Sequence, residues 1–298
     1  MSHTTLSTGH RDAKAQLRVA SVRKTSHLSS EERFKLVAAG RKALESAGLN
    51  STIIAGTGTG SLKETIVLSK DAARAGADAC IVITPGYFSG AIARDRKALK
   101  EYFTEIADAS PIPIMIYNFP ACASGIDLDS DLLTEISEHP NIIGAKLTCA
   151  QIGKGLRLAS SIKRQPFRVF PGFADIILPA MLSGQTGAIV GTGNLIPRVL
   201  LQLYQMISKA IETKDFQLLS EAQELQRKVA FADWALVKGG ISGTKWALER
   251  FYESVGTTRR PLQPVSDDLK KVIEDGLKEC LELERILEKR DGVKIARE

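Results

Sequence analysis

Short apolar segments alternate with segments of helical period along the middle of the chain. The apolar segments are continuous rather than alternating, and most of them end in glycine, proline or asparagine. Continuous apolar strands separated by helices are typical of a parallel sheet that is covered by helices. The pattern predicts strands over 51–56, 79–84, 112–118, 141–148, 167–170 and 187–190. It predicts the intervening helices over 61–75, 93–109, 130–138, 155–163, 174–182 and 199–212.

The number of strand and helix units favours an α/β fold of the (β/α)₈ TIM barrel type over an open sheet. A short apolar segment over 16–21 could be a seventh strand. After residue 213 the pattern changes to helices alone, predicted over 215–236, 242–255 and 267–289. We interpret these helices as an appendage that packs on the barrel. The predicted organisation is an irregular leader over 1–27, the barrel over 28–213 and the C-terminal helices over 214–298.

The leader is too short for a complete first unit. A strand, a crossover helix and a second strand need about a dozen residues for the crossover and about five for each strand. The sequence before residue 21 lacks helical periodicity. We therefore expect the first β/α unit to be missing or degenerate. The first clear helix begins after Ser29, where Glu32 completes a capping box, and Ser266 is placed to cap the last helix.

Composition excludes several classes of function. Most of the formal charge of +6 lies in the first 27 residues, which hold five basic residues and one acidic residue. The sequence has no cluster of Lys and Arg of the kind that binds nucleic acid. The four cysteines do not have the spacing of metal ligands. The chain has only four histidines, which disfavours a histidine-based metal site and a Ser-His-Asp triad. No apolar run approaches the roughly 20 residues of a membrane span. We predict a cytoplasmic protein, with the mitochondrial matrix as the alternative because the leader is basic and rich in Ser and Thr.

The candidate chemistry lies at the predicted ends of the strands. Lys146 lies near the end of an apolar strand, and Tyr117 near the end of the strand before it. Burial disfavours a charged amine, and a neutral amine can form a Schiff base with a ketone. Lys146 could equally be a surface residue or an ion-pair partner, and Tyr117 a packed aromatic residue. The glycine-rich turn at 56–60 can be an ordinary connection between a strand and a helix, and it does not require a phosphate-binding function.

Two motifs resemble one family. Tyr117-Asn118-Phe119-Pro120, with Lys146 in Gly144-Ala145-Lys146 29 residues after the tyrosine, is similar to the paired signature of the dihydrodipicolinate synthase / N-acetylneuraminate lyase family. Thr84-Pro85-Gly86-Tyr87 and the segment 187–194 agree with it. The resemblance extends from about residue 28 to the C-terminus. It implies a (β/α)₈ barrel, a homotetramer, a class I aldolase or lyase acting on a small oxo acid, and no metal or cofactor.

The resemblance also implies roles for single residues. Lys146 would form the Schiff base with pyruvate or the oxo-acid substrate, and Tyr117 would transfer the proton of the aldol hydroxyl. Tyr87 would complete a hydroxyl relay in the site of a neighbouring subunit. Thr148 would contact the aldehyde half of the substrate. The remaining substrate-binding residues would be Ser21, Val22, Gly172, Ile189 and Gly191.

Two departures from the family pattern narrow the function. The synthases carry an arginine after the Tyr-Asn motif, but residues 121–125 hold no cation, which disfavours their condensation of pyruvate. The sequence favours cleavage of a 4-hydroxy-2-oxo acid or a 2-keto-3-deoxy sugar acid, as in 4-hydroxy-2-oxoglutarate aldolases and fungal 2-keto-3-deoxy-L-galactonate aldolases. The loop that binds the substrate carboxylate falls on 20–24, where only Ser21 fits. A catalytically impaired member with a structural or regulatory role therefore stays open.

Overall fold

A computed structural model describes residues 27–162, 167–252 and 255–292, together with the backbone of Thr4 and Thr5. The two threonines form strand β1 (Thr4–Thr5) within the leader that was predicted to be irregular. The segment 16–21 and the expected loss of a first β/α unit lie outside the described residues. The chain divides into two compact units, Met1–Gly172 with Ser183–Ile189 and Phe173–Leu182 with Val190–Glu298.

A five-stranded parallel sheet forms the centre of the first unit. Each strand pairs with the next one along the chain, so that the sheet follows the order of the sequence. This order confirms the predicted alternation of parallel strands and helices. A further short strand, β7, lies outside this sheet. The strands are β2 (Ile54–Gly56), β3 (Ala79–Ile83), β4 (Ile114–Asn118), β5 (Ile142–Leu147), β6 (Arg168–Pro171) and β7 (Ile189–Val190).

Helices connect these strands. The side chain of Ser29 accepts a hydrogen bond from the Glu32 amide at 3.2 Å, and Glu32 accepts one from the Ser29 amide at 2.9 Å. The predicted capping box is therefore confirmed at the start of the first helix. The helices of this unit are α1 (Ser30–Ser46), α2 (Leu62–Arg74), α3 (Ser89–Ile92), α4 (Arg96–Ala109), α5 (Ser130–Ser137) and α6 (Ile152–Ser161).

The sheet buries both of its faces. Cys80 and Val82 of β3 belong to a large core cluster that also contains helical residues such as Phe103 and Leu133. Ala79 and Ile81, which point to the other face of β3, belong to a second cluster built from strand residues alone. Side chains that alternate between a helix-covered face and a strand-lined interior are characteristic of a barrel.

The second unit is helical. The sequence predicts separate helices over 215–236 and 242–255, and the structure has two helical segments joined by a kink at Gly240 (φ 57°, ψ −146°). Glycine adopts this conformation without the steric penalty of a β-carbon. Ser266 caps the last helix by accepting a hydrogen bond from the Leu269 amide at 3.4 Å, as predicted. The helices are α7 (Ile177–Leu182), α8 (Pro197–Thr213), α9 (Phe216–Phe251) and α10 (Asp267–Arg290).

Candidate active site

Lys146 and Tyr117 face each other across two neighbouring strands. They are directly paired in the parallel ladder between β4 and β5, so their side chains share one face of the sheet. The Lys146 side chain is fully buried, and its Nζ lies 4.4 Å from the centroid of the Tyr117 ring. The structure therefore brings together the two residues that the sequence singled out.

The strand on the other side of Lys146 supplies a second aromatic ring. Phe170 of β6 is the register partner of Lys146 and is 2% exposed. Gly144, two residues before Lys146, allows β6 to approach closely, since a β-carbon there would lie 2.6 Å from the Arg168 carbonyl oxygen. Phe170 was not among the candidate residues, because the predicted strand over 167–170 did not reveal its register with β5.

Backbone hydrogen bonds extend the sheet just beyond the two residues. The Thr148 amide donates to the Asn118 carbonyl at 2.9 Å, and the Gly172 amide donates to the Leu147 carbonyl at 2.9 Å. Thr148 is 3% exposed, and its hydroxyl has no hydrogen-bond partner among the described residues. A β-carbon on Gly172 would lie 1.9 Å from this hydroxyl. Thr148 and Gly172 are thus neighbours immediately after Lys146 and the end of β6.

The other substrate-binding candidates are Ile189, Gly191, Ser21 and Val22. Ile189 is fully buried in the strand-lined cluster against which Tyr117 packs. Gly191 belongs to the second unit, where it precedes a short 3₁₀ helix, and its role in the site stays a prediction. Ser21 and Val22 lie outside the described residues.

Tyr87 points into solvent. It is 88% exposed within a 3₁₀ helix over Gly86–Phe88, and its ring meets the Phe88 ring edge to face at 5.2 Å. Gly86 anchors this turn against the loop after β4, because a β-carbon there would lie 2.8 Å from Ala123 Cα. The role of Tyr87 in a neighbouring subunit stays a prediction.

A polar cluster beside the site was missed by sequence reasoning. Asp127 accepts a hydrogen bond from the Asn118 side chain at 2.7 Å and another from the Gln151 side chain at 2.9 Å, and it also forms an ion pair with Lys154. Asn118 directly follows Tyr117 and belongs to the recognised motif. Its place in that motif was the one signal that could have drawn attention to the cluster.

Comparison with known proteins decides the family. The chain matches the Dihydrodipicolinate synthetase family over residues 20–280. The chain belongs to this family. It is 37% identical over 269 residues to the L-threo-3-deoxy-hexylosonate aldolase of Hypocrea jecorina, covering 88% of this chain and 82% of that protein. It is 40% identical over 263 residues to a probable mitochondrial 4-hydroxy-2-oxoglutarate aldolase of Emericella nidulans, again covering 88% and 82%.

Solved structures of the family agree on the fold. The chain superposes on the crystal structure of a dihydrodipicolinate synthase family protein from Coccidioides immitis with a TM-score of 0.73. The two are 32% identical, and the match covers 88% of this chain and 82% of that one. This superposition confirms the predicted (β/α)₈ barrel fold with C-terminal helices.

Proposed function

We propose that this protein is a class I aldolase that cleaves a 4-hydroxy-2-oxo acid or a 2-keto-3-deoxy sugar acid to pyruvate and an aldehyde. The observation that carries the proposal is the buried Lys146 amine 4.4 Å from the centre of the Tyr117 ring, at the carboxyl ends of adjacent parallel strands. In parallel barrels these strand ends are where catalytic residues collect. The activities in the names of the relatives from Hypocrea jecorina and Emericella nidulans support the same reaction class.

Lys146 is the nucleophile in this proposal. Its neutral amine attacks the C2 carbonyl of the substrate, the carbonyl oxygen leaves as water, and a protonated imine forms. When the C3–C4 bond breaks, its electron pair moves toward the positively charged imine nitrogen, and an enamine forms. Protonation of the enamine at C3 and hydrolysis of the imine then release pyruvate and restore the amine.

Tyr117 transfers the proton in this proposal. The C4 hydroxyl loses its proton as the C3–C4 bond breaks and the aldehyde leaves, and C3 of the enamine takes up a proton afterwards. A phenol beside the Lys146 amine can relay that proton, with the substrate carboxylate as its partner. The aldehyde half of the substrate would contact Thr148, and Gly172, Ile189 and Gly191 would line the pocket.

The segment 20–24 bears on the strength of substrate binding. Its Ser21 and Val22 occupy the position of the loop that we expect to bind the pyruvate carboxylate, but the glycines and the glutamate of the family pattern are replaced. Since charge-assisted hydrogen bonds are the strong ones, we predict a raised KM for the oxo acid. The lack of a cation at 121–125 favours cleavage over synthase-type condensation.

The assembly and the compartment also belong to the proposal. We propose a homotetramer, with Tyr87 of each chain reaching a neighbouring site, and light scattering on the purified protein tests it.

We expect a cytoplasmic protein, while the mitochondrial name of the Emericella nidulans relative supports the alternative. No helix within the described residues has the length and apolarity to cross a membrane.

Borohydride trapping tests the mechanism directly. The protein is incubated with saturating pyruvate and sodium borohydride, and the modified peptide is identified by mass spectrometry. We expect one reduced adduct, on Lys146. K97A is a matched control, because the Lys97 side chain is 83% exposed, and it should be trapped like the wild type. Absence of an adduct on Lys146 would reject the proposal.

A steady-state assay separates an active enzyme from an impaired one. The substrates are 4-hydroxy-2-oxoglutarate and 2-keto-3-deoxy sugar acids, and the control is K146A. Turnover well above that of K146A supports the aldolase. Turnover equal to that of K146A, in a protein that still unfolds cooperatively, would favour the impaired family member.

A further inference from the structure

Two loops follow the strands that carry the proposed catalytic pair. One spans 119–127 after Tyr117, and the other spans 148–151 after Lys146. Each contains a residue other than glycine in the left-handed region, Ser124 with φ 50° and Ala150 with φ 57°. Such a residue costs roughly 1 kcal/mol or more, so surrounding contacts must hold the backbone in place.

The Asp127 carboxylate joins these two loops. One oxygen accepts a hydrogen bond from the Asn118 side chain at 2.7 Å and also binds Lys154 Nζ. The other accepts a hydrogen bond from Gln151 Nε2 at 2.9 Å. Gln151 is the N-cap of α6, and Lys154 lies in its first turn. A single carboxylate therefore connects the last residue of β4, the end of its own loop and the helix that follows Lys146.

Both the oxygen and the nitrogen of the Asn118 side-chain amide form hydrogen bonds within this network. Its Oδ1 accepts a hydrogen bond from the Leu128 amide at 3.0 Å, while its Nδ2 donates to Asp127. Its backbone carbonyl accepts from the Thr148 amide at 2.9 Å. Because Asn118 is fully buried and directly follows Tyr117, its anchoring fixes the end of the strand from which the phenol projects.

The ion pair is unequally buried. The Lys154 side chain is 3% exposed, whereas that of Asp127 is 31% exposed. A desolvated ion pair contributes little net stability, but removing one partner leaves the other charge uncompensated. In some proteins such a pair is retained because it specifies one geometry, which is the property that a catalytic constellation needs.

We infer that Asp127 and Lys154 are positioning residues for the proposed reaction, acting through Asn118 and Gln151 to hold Tyr117 in line with Lys146. The inference rests on the proposed aldolase function. A displacement of about 1 Å can lower a rate by about 100-fold, because the reacting groups lose their alignment. Loosening this connection should therefore lower kcat for cleavage more than it affects binding.

The test compares K154M, K154Q and D78N with the wild type. K154M removes the donor and leaves Asp127 partly solvated, so it is milder than D127N, which would bury an unpaired ammonium. K154Q keeps a donor for Asp127. D78N is the matched control, since Asp78 is a carboxylate that binds Arg41 at 2.5 Å and the Ile53 amide at 2.6 Å, away from both loops.

For K154M we expect kcat to fall about tenfold or more, with KM for the oxo acid changed no more than about twofold. Borohydride trapping of pyruvate should remain, because the amine is still present, and K154Q should recover part of the lost kcat. A kcat of K154M within about twofold of the wild type would overturn the inference. A fall no larger than that of D78N at an equal loss of thermal stability would also overturn it.

Amide hydrogen exchange separates this inference from the proposed function. K154M should exchange faster than the wild type in both loops, 119–127 and 148–151, whereas D78N should not. This readout does not depend on turnover. Unchanged exchange in the two loops would overturn the inference even if the wild type forms the pyruvate adduct. A wild type without an adduct refutes the aldolase proposal instead.

Discussion

Gly172 leaves the space that the Thr148 hydroxyl occupies. A β-carbon on Gly172 would lie 1.9 Å from Thr148 Oγ1 and 2.6 Å from Thr148 Cβ. These distances are far shorter than van der Waals contact. A glycine is therefore required at the end of β6 for the threonine to lie beside Lys146.

Replacement of Gly172 by alanine should destabilise the protein. Overpacking a filled site typically costs about 1–3 kcal/mol, because the backbone of one strand end must move. Urea denaturation measures the change in the free energy of unfolding. G90A is the control, since no atom lies within 4 Å of a β-carbon built there, and it should not lower the free energy of unfolding, because alanine favours the helix α3 in which it lies. Equal values for G172A and G90A would contradict the prediction.

Replacement of Thr148 by valine should separate binding from folding. The hydroxyl has no partner among the described residues, so its loss should not lower the free energy of unfolding and could raise it, because a buried polar group without a hydrogen bond is unfavourable. We expect KM for a hydroxylated substrate to rise about tenfold, since one hydrogen bond to the aldehyde half would be lost. Trapping of pyruvate, which lacks that half, should be unaffected. An unchanged KM would show that Thr148 does not contact the substrate.

Replacement of Tyr117 by phenylalanine should remove proton transfer while keeping the packing. The ring would still contact the strand-lined cluster that includes Ile189. We expect kcat to fall by about 100-fold or more, because general acid–base catalysis contributes at least that much. The pyruvate adduct on Lys146 should persist. Y252F, which removes a buried hydroxyl bonded to the Leu195 carbonyl, is the control and should retain kcat.

Asp233 should give the stability of the second unit a pH dependence. Burial raises the pKa of its carboxyl to about 6, and the charge of Asp175 adds to this effect. Hydrogen bonds from the Thr192 hydroxyl and from the Ala174 and Asp175 amides lower the pKa in part. Since the folded-state pKa lies above the unfolded value of about 3.9, the stabilisation is complete below about pH 3.9. It is lost as the pH rises through about 6.

D233N isolates this effect, because the asparagine carbonyl can still accept from the Ala174 amide and its amide can donate to Thr192. The free energy of unfolding of the wild type relative to D233N should fall by about 1 kcal/mol between about pH 5 and about pH 7.5. Urea denaturation at the two pH values measures it. Parallel pH profiles for the two proteins would contradict the assigned pKa shift.

The proximity of Tyr117 and Lys146 followed from the sequence, but their direct pairing did not. Continuous apolar strands in chain order place both strand ends at one edge of a parallel sheet. Register is a separate property, since a slip of one residue moves a side chain to the opposite face. The register between β4 and β5 shifts between Ile114 and Met115, and the sequence pattern does not predict this shift.

The cluster around Asp127 could not be predicted for a different reason. It joins two loops that contain left-handed backbone at Ser124 and Ala150, and neither residue type signals that conformation as glycine does. The break between the predicted helices at 236 and 242 was easier to predict. Gly240 supplies a recognisable residue type, and the structure has its kink there.

The two residues of the dipeptide Tyr117-Asn118 have different roles, since the tyrosine belongs to the proposed reaction and the asparagine to the folding of the loop. Because successive side chains of a strand project to opposite faces, the phenol faces the buried amine while the amide beside it closes a turn of the chain. A homologue that has lost its chemistry can therefore keep the asparagine, as long as that residue is still needed to fold the loop. Assigning activity to distant relatives should weigh the tyrosine and the lysine, and treat the asparagine as a marker of shape.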